Sequence, residues 1–114
     1  MGIRIDNSKL IMTIDFHASS DQKSFRLVIR GRITGPRSLR RLQKALEEAG
    51  HFERTSIDLS EAASFDESFV RLLEKCKENN PRSFGKLRIV NPRGRVLKAL
   101  TARGETLGIA IDIG

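Results

Sequence analysis

Apolar residues recur along the chain with two different periods, and the places where the period changes outline its elements. Leu10 to Phe16 is rich in apolar and β-branched residues, and Ser19-Ser20-Asp21-Gln22 supplies turn chemistry behind it. From Phe25 to Ile33 the positions alternate, with Phe25, Leu27 and Ile29 set against Arg26, Val28 and Arg30. These two segments predict a hairpin at the edge of a sheet. Gly35-Pro36 then marks a helix start, because proline suits the first helical position. Leu39, Leu42, Leu46 and Ala49 follow at helical spacing, and Gly50 is a natural stop.

The second half repeats the scheme. Thr55 to Leu59 predicts a short strand, and Ser64-Phe65-Asp66-Glu67 matches the S-x-x-E capping box ahead of a helix. Phe69, Leu72, Leu73 and Cys76 form one apolar stripe, ended by Asn79-Asn80-Pro81. Lys86 to Val90 predicts a strand, and Asn91-Pro92 another helix start. That helix carries Val96, Leu97 and Leu100 on one face, with Gly104 as its stop. Ile109, Ile111 and Ile113 predict a closing strand. The order β-β-α-β-α-β-α-β implies a single α/β domain over residues 1–114, with a mixed, mostly parallel sheet and helices packed against it.

A chain of 114 residues with 39% hydrophobic and 31% charged residues has an ordinary globular composition. Apolar runs such as Leu10-Ile11-Met12 fall far short of the roughly 20 residues of a membrane span. The first residues lack an apolar run flanked by basic ones, which argues against a signal peptide. Met1-Gly2 has Asp6 where a myristoylation motif needs Ser or Thr. A cytoplasmic protein is the expectation. One cysteine, Cys76, excludes a disulfide framework within the chain and any multi-cysteine metal site, and its place on the apolar stripe predicts a small core hydrophobe.

The formal charge of +7 points first to nucleic acid or an anionic surface, but its distribution changes that picture. Arg26 to Lys44 and Arg82 to Arg103 each hold 7 basic residues and no acid. All 14 acidic residues lie elsewhere, so two basic blocks bracket an acidic middle. Nucleic-acid binders add aromatic platforms to positive grooves, whereas the aromatics here are 5%, all of them Phe. Arg37, Arg40 and Arg41 begin the first helix and Glu47 and Glu48 end it, an order opposed to the helix dipole. Those arginines are candidates to face an anionic partner.

Enzymatic signatures are absent. His17 and His51 are isolated, and the chain has neither a G-x-S-x-G elbow, a P-loop nor a G-x-G-x-x-G turn, so no catalytic, cofactor or metal residues are assigned. The most promising segment runs from Ser60 to Ser68, between a strand end and a helix start. Functional sites in α/β sheets gather beyond the carboxyl ends of strands. Ser60, Ser64, Asp66, Glu67 and Ser68 are its candidate recognition residues, with exposed Arg71, Glu74, Lys75 and Glu78 on the next helix as a polar rim.

From about Phe25 to Ile113 the sequence resembles the STAS domain, named for sulphate transporters and anti-sigma factor antagonists. The resemblance rests on Phe25 to Ile33 with Gly31 near its end, on Ser56-Ile57-Asp58-Leu59-Ser60, on Ser64-Phe65-Asp66-Glu67-Ser68-Phe69, and on Gly85 to Pro92. It implies a non-enzymatic bacterial signalling module that regulates transcription, with an anti-sigma factor of the serine-kinase type as partner. In the bacterial antagonists the signature reads Asp-Ser-Ser-Gly and its first serine is phosphorylated. Here Glu67 stands at that serine, Ser68 at the second and Phe69 at the glycine. Glu67 then imitates a partly phosphorylated state, or Ser68 becomes the acceptor, with phosphate set beside Asp66 and Glu67. The alternatives are a STAS subunit of a transport or stress-signalling assembly, or a binder of anionic polymers or membrane surfaces through the two basic blocks.

Overall fold

The computed structural model describes residues 12–84, 86–107 and 110–112. Its strands are β1 (Thr13–Ala18), β2 (Ser24–Ile33), β3 (Arg54–Phe65), β4 (Leu87–Val90) and β5 (Ala110–Asp112). Its helices are α1 (Gly35–Ala49), α2 (Glu67–Asn79), the single turn α3 (Pro81–Phe84) and α4 (Gly94–Leu107). Leu10, Ile11, Gly85, Ile109 and Ile113 lie outside the described residues.

The sheet runs in the order β1-β2-β3-β4-β5. β1 pairs antiparallel with β2 at one edge, and the remaining pairs are parallel. The expected edge hairpin and mixed, mostly parallel sheet are both present. The hairpin turn closes through Ser19, whose N–H donates to the Ser24 carbonyl at 2.9 Å, and Gln22 takes the left-handed φ of 60° the turn needs.

Alternation along the strands sorts the side chains onto two unlike faces. Phe25, Leu27, Ile29, Ile57, Leu59, Leu87 and Ile89 point to the helices and join Leu42, Phe69, Leu73, Val96 and Leu100 in one buried cluster. The opposite face carries Arg26, Arg30 and Arg88, paired with Asp58, with Asp15 and Glu61, and with Asp112. Parallel sheets commonly have both faces covered by helices and read as continuous apolar runs. Here one face is polar, and the strands keep an alternation readable in the sequence.

Several boundaries differ from expectation for physical reasons. Pro36 sits in the first turn of α1 as expected, and Gly35 before it adopts a φ of +83°, which suits glycine. Gly50 ends α1 in the right-handed region at a φ of −61°, its N–H donating to the Leu46 and Glu47 carbonyls. The stop therefore uses no left-handed geometry. Asn91-Pro92 does not open α4, which begins at Gly94. Asn91 instead takes a φ of 56° and donates its N–H to the Asp112 carbonyl at 2.8 Å, tying the end of β4 to β5. Gly104 does not stop α4, which continues to Leu107. The turn α3 after Asn80 has no counterpart in the expected order of elements.

Phe69 shows how the core holds α2. It is fully buried in the first turn, and its ring meets that of Phe65, the last residue of β3, at 5.3 Å between centroids. Truncating a buried aromatic removes transfer energy and leaves a cavity. Phe69→Ala should lower the unfolding free energy by about 3–5 kcal/mol in urea titration; a loss below about 1 kcal/mol would contradict this placement.

Candidate functional site

The segment from Ser60 to Ser68, expected to be a loop, is mostly strand. β3 runs on to Phe65, with Glu61 opposite Arg30, Ala62 opposite Gly31, Ser64 opposite Arg32 and Phe65 opposite Ile33. Two register shifts in the pairing absorb the extra residues of β3. The run Ser60-Glu61-Ala62-Ala63-Ser64 has little intrinsic strand preference. Its pairing comes from β2, and the Arg30 Nε to Glu61 ion pair at 3.1 Å supports it across the strands.

The capping box is corrected in the same region. Ser64 lies inside the strand, and the helix cap is Asp66, whose Oδ1 accepts the Ser68 N–H at 3.0 Å. Glu67 is consequently the first helical residue, with an anion where the helix dipole favours one. Asp66 and Glu67 are exposed, whereas Ser64 and Ser68 are half-buried. The structure thus gathers Asp66, Glu67 and Ser68 into one turn at the carboxyl end of the sheet. It leaves Ser60 seven residues up the strand from Glu67, where its N–H donates to Asp58 Oδ1 at 2.9 Å. Behind the turn, Arg71, Glu74, Lys75 and Glu78 are all exposed on α2.

The arginines of α1 share this end of the molecule. Ile33 and Phe65 are ladder partners, α1 starts two residues after one and α2 two residues after the other. Arg37, Arg40 and Arg41 are exposed, and Arg41 Nη1 donates to the Met12 carbonyl at 3.0 Å. No acidic residue lies in the first turn of α1.

Asp58 belongs to the Asp-Leu-Ser run of the family likeness, but it is not among the expected site residues and its structural role is new. It is 2% exposed in the middle of β3, flanked by the fully buried Ile57 and Leu59. Burial pushes its carboxyl up, but the Ser60 N–H and the Arg26 guanidinium outweigh that, and the net shift is below the ordinary carboxylate value. An acid between two core residues was the available signal, since buried acids are rare without a partner. Arg30 has the matching role further along β2. Its hydrogen bonds to Asp15 and then to Glu61 hold the guanidinium even more firmly protonated. Together these pairs fasten β1, β2 and β3 along the middle of the sheet's polar face.

The remaining candidates lie elsewhere. Cys76 is half-buried against the core, and burial, then Glu47, push its thiol up, which disfavours the reactive thiolate. It borders a cavity of about 190 Å³ at the other end of the sheet, between the C-terminal halves of α1 and α2. Among the described residues no group of three potential ligands could hold a metal ion, and no helix is long and apolar enough to cross a membrane.

No family model matches the sequence, and no curated protein matches it significantly. Solved structures do. An anti-sigma factor antagonist from Mycobacterium paratuberculosis superposes with a TM-score of 0.73 at 14% identity, covering 91% of this chain and 87% of that one. The unphosphorylated form of the anti-sigma factor antagonist SpoIIAA gives 0.67 at 12% identity over 87% of both chains. A STAS-domain antagonist from Rhodobacter sphaeroides gives 0.53 at 23% identity, over 74% of this chain and 88% of that one. The chain has the STAS fold, that of the SpoIIAA-like proteins.

The Asp58 account has a pH signature. Its folded carboxyl ionises more readily than the unfolded one, so the stabilisation is complete above the unfolded value of about 3.9 and fades as pH falls through the lower folded value. Asp58→Asn should cost about 2 kcal/mol at neutral pH. It should also flatten the fall in stability below about pH 4, as read by urea unfolding across the acid range. An acid limb as steep as the wild type's would show that Asp58 is not its source.

Proposed function

We propose that this protein is a non-enzymatic regulatory module that binds another protein through the Asp66-Glu67-Ser68 turn and the exposed face of α2. It acts as an anti-sigma factor antagonist in the bacterial cytoplasm, its partner an anti-sigma factor of the serine-kinase type. The observation that carries this reading is the exposed acidic start of α2 at the carboxyl end of a sheet with the antagonist fold. Glu67 occupies the position where the antagonists carry their phosphorylated serine, and its single permanent charge sets one partner preference. Phosphoserine would bring about −1.5 to −2 charge at the same place.

Ser68 fits the acceptor role less well. It is half-buried and its backbone N–H is engaged by Asp66. A phosphate there would stand between two carboxylates, a repulsive setting.

The test is a titration of the protein against the serine-kinase-type anti-sigma factors of its own organism, with Glu67→Ser as the variant. A charge-assisted contact is worth about 1.5–3 kcal/mol, so the variant's affinity should shift by roughly tenfold or more. Unchanged affinity would remove Glu67 from the interface.

A further inference from the structure

Ion pairing takes up three cations of the sheet, and most other described cations are exposed without one; α1 differs in lining four of them up on one stripe. On the polar face of the sheet Arg26, Arg30 and Arg88 each meet a carboxylate of a strand. On α1, Arg37, Arg40, Arg41 and Lys44 are exposed, and none forms an ion pair with a described residue. Their spacing of i, i+3, i+4 and i+7 places all four on one stripe of the helix, turned away from the buried Leu42, Ala45 and Ala49. Mutual repulsion among the arginines, and at Arg37 the positive end of the helix dipole, disfavour cations there. An arrangement unfavourable within the free chain is relieved by an anionic partner.

We infer that the Arg37–Lys44 stripe of α1 is a second contact surface that reads a short acidic segment of a protein partner. This deepens the proposed function and rests on it for the identity of the partner: the segment belongs to the protein that meets the α2 turn. The stripe spans eight residues, about 10 Å of helix, and carboxylates close it at both ends. Asp66 and Glu67 lie beside the start of α1, through the Ile33–Phe65 pairing, and Glu47 and Glu48 follow at its far end. A continuous phosphate backbone running along the stripe would meet those carboxylates, whereas a short acidic peptide fits between them. α1 carries no aromatic residue on which bases could stack, and its exposed positions hold no large apolar side chain to enter a lipid surface.

The experiment uses the full chain, isotope-labelled, with a triglutamate peptide, about 10 Å long when extended, as probe at low ionic strength. Triglutamate should shift the amides of residues 37–44, and Arg37→Glu combined with Arg40→Glu should weaken its binding at least about tenfold. The same double variant should weaken the anti-sigma factor at least about threefold. Reversal places anions at a helix start, so the variant should melt no lower than the wild type. Arg37→Gln with Arg40→Gln provides a second, neutral variant and should show the same loss.

Triglutamate binding elsewhere, or surviving both variants, would overturn the inference, as would tighter α1-dependent binding of an eight-base single-stranded DNA or of phosphatidylglycerol vesicles. Loss of the peptide with the partner unaffected would also overturn it. Failure of the α2 reading looks different: Glu67→Ser would leave the partner unchanged while the α1 variants still weakened it.

Discussion

The ladder between β2 and β3 is the constraint on which the candidate site depends. It is the longest pairing in the sheet and ends with Ile33 beside Phe65. The next few residues on either strand begin a helix, so this one pairing sets the starts of α1 and α2 side by side. Polar interactions on the side away from the helices hold it. Arg26 reaches the buried Asp58, and Arg30 spans from Asp15 on β1 to Glu61 on β3. Apolar packing holds it from below, where Phe65 and Phe69 close the step from strand to helix. The turn at Asp66 is therefore a rigidly supported projection rather than a free loop.

A sheet with helices on one side leaves the other side to face water, and this chain meets that demand with opposite charges drawn from neighbouring strands. Those pairs are mostly half-exposed, so each adds little stability by itself. Their effect is to settle register, since a slip by one residue would bring apolar side chains to water and charges into the core. Asp58 is the exception in being buried, and there the backbone N–H of Ser60 shares the task with Arg26.

Much of this was legible in the sequence, because one-sided burial imprints clear periods. Phe25, Leu27 and Ile29 announced β2, and the Phe69-Leu72-Leu73-Cys76 stripe announced α2. What stayed hidden depended on contacts made at a distance. Residues 60–65 are a strand because β2 pairs with them, not because Ser, Glu and Ala favour one. Ser64 satisfied a capping pattern three residues ahead of Glu67, yet its place in the ladder removed it from the cap and left the role to Asp66. Asn91 looked like a helix start until its N–H was committed to the final strand. The STAS likeness pointed to the α2 turn as a place, while the partners of Asp58 and Arg30 were visible only once the strands were side by side.

The division of labour within the α2 turn carries a consequence for how such a protein can change. The side chain that caps the helix, Asp66, is not the exposed side chain that follows it, Glu67, and a third residue, Phe69, anchors the turn in the core. Under the proposed function, holding the helix start and presenting a charge to a partner would fall largely to different residues. A regulator built this way could change what residue 67 presents, through a fixed charge, a neutral residue or a modifiable hydroxyl, while Asp66 and Phe69 keep the helix start in place.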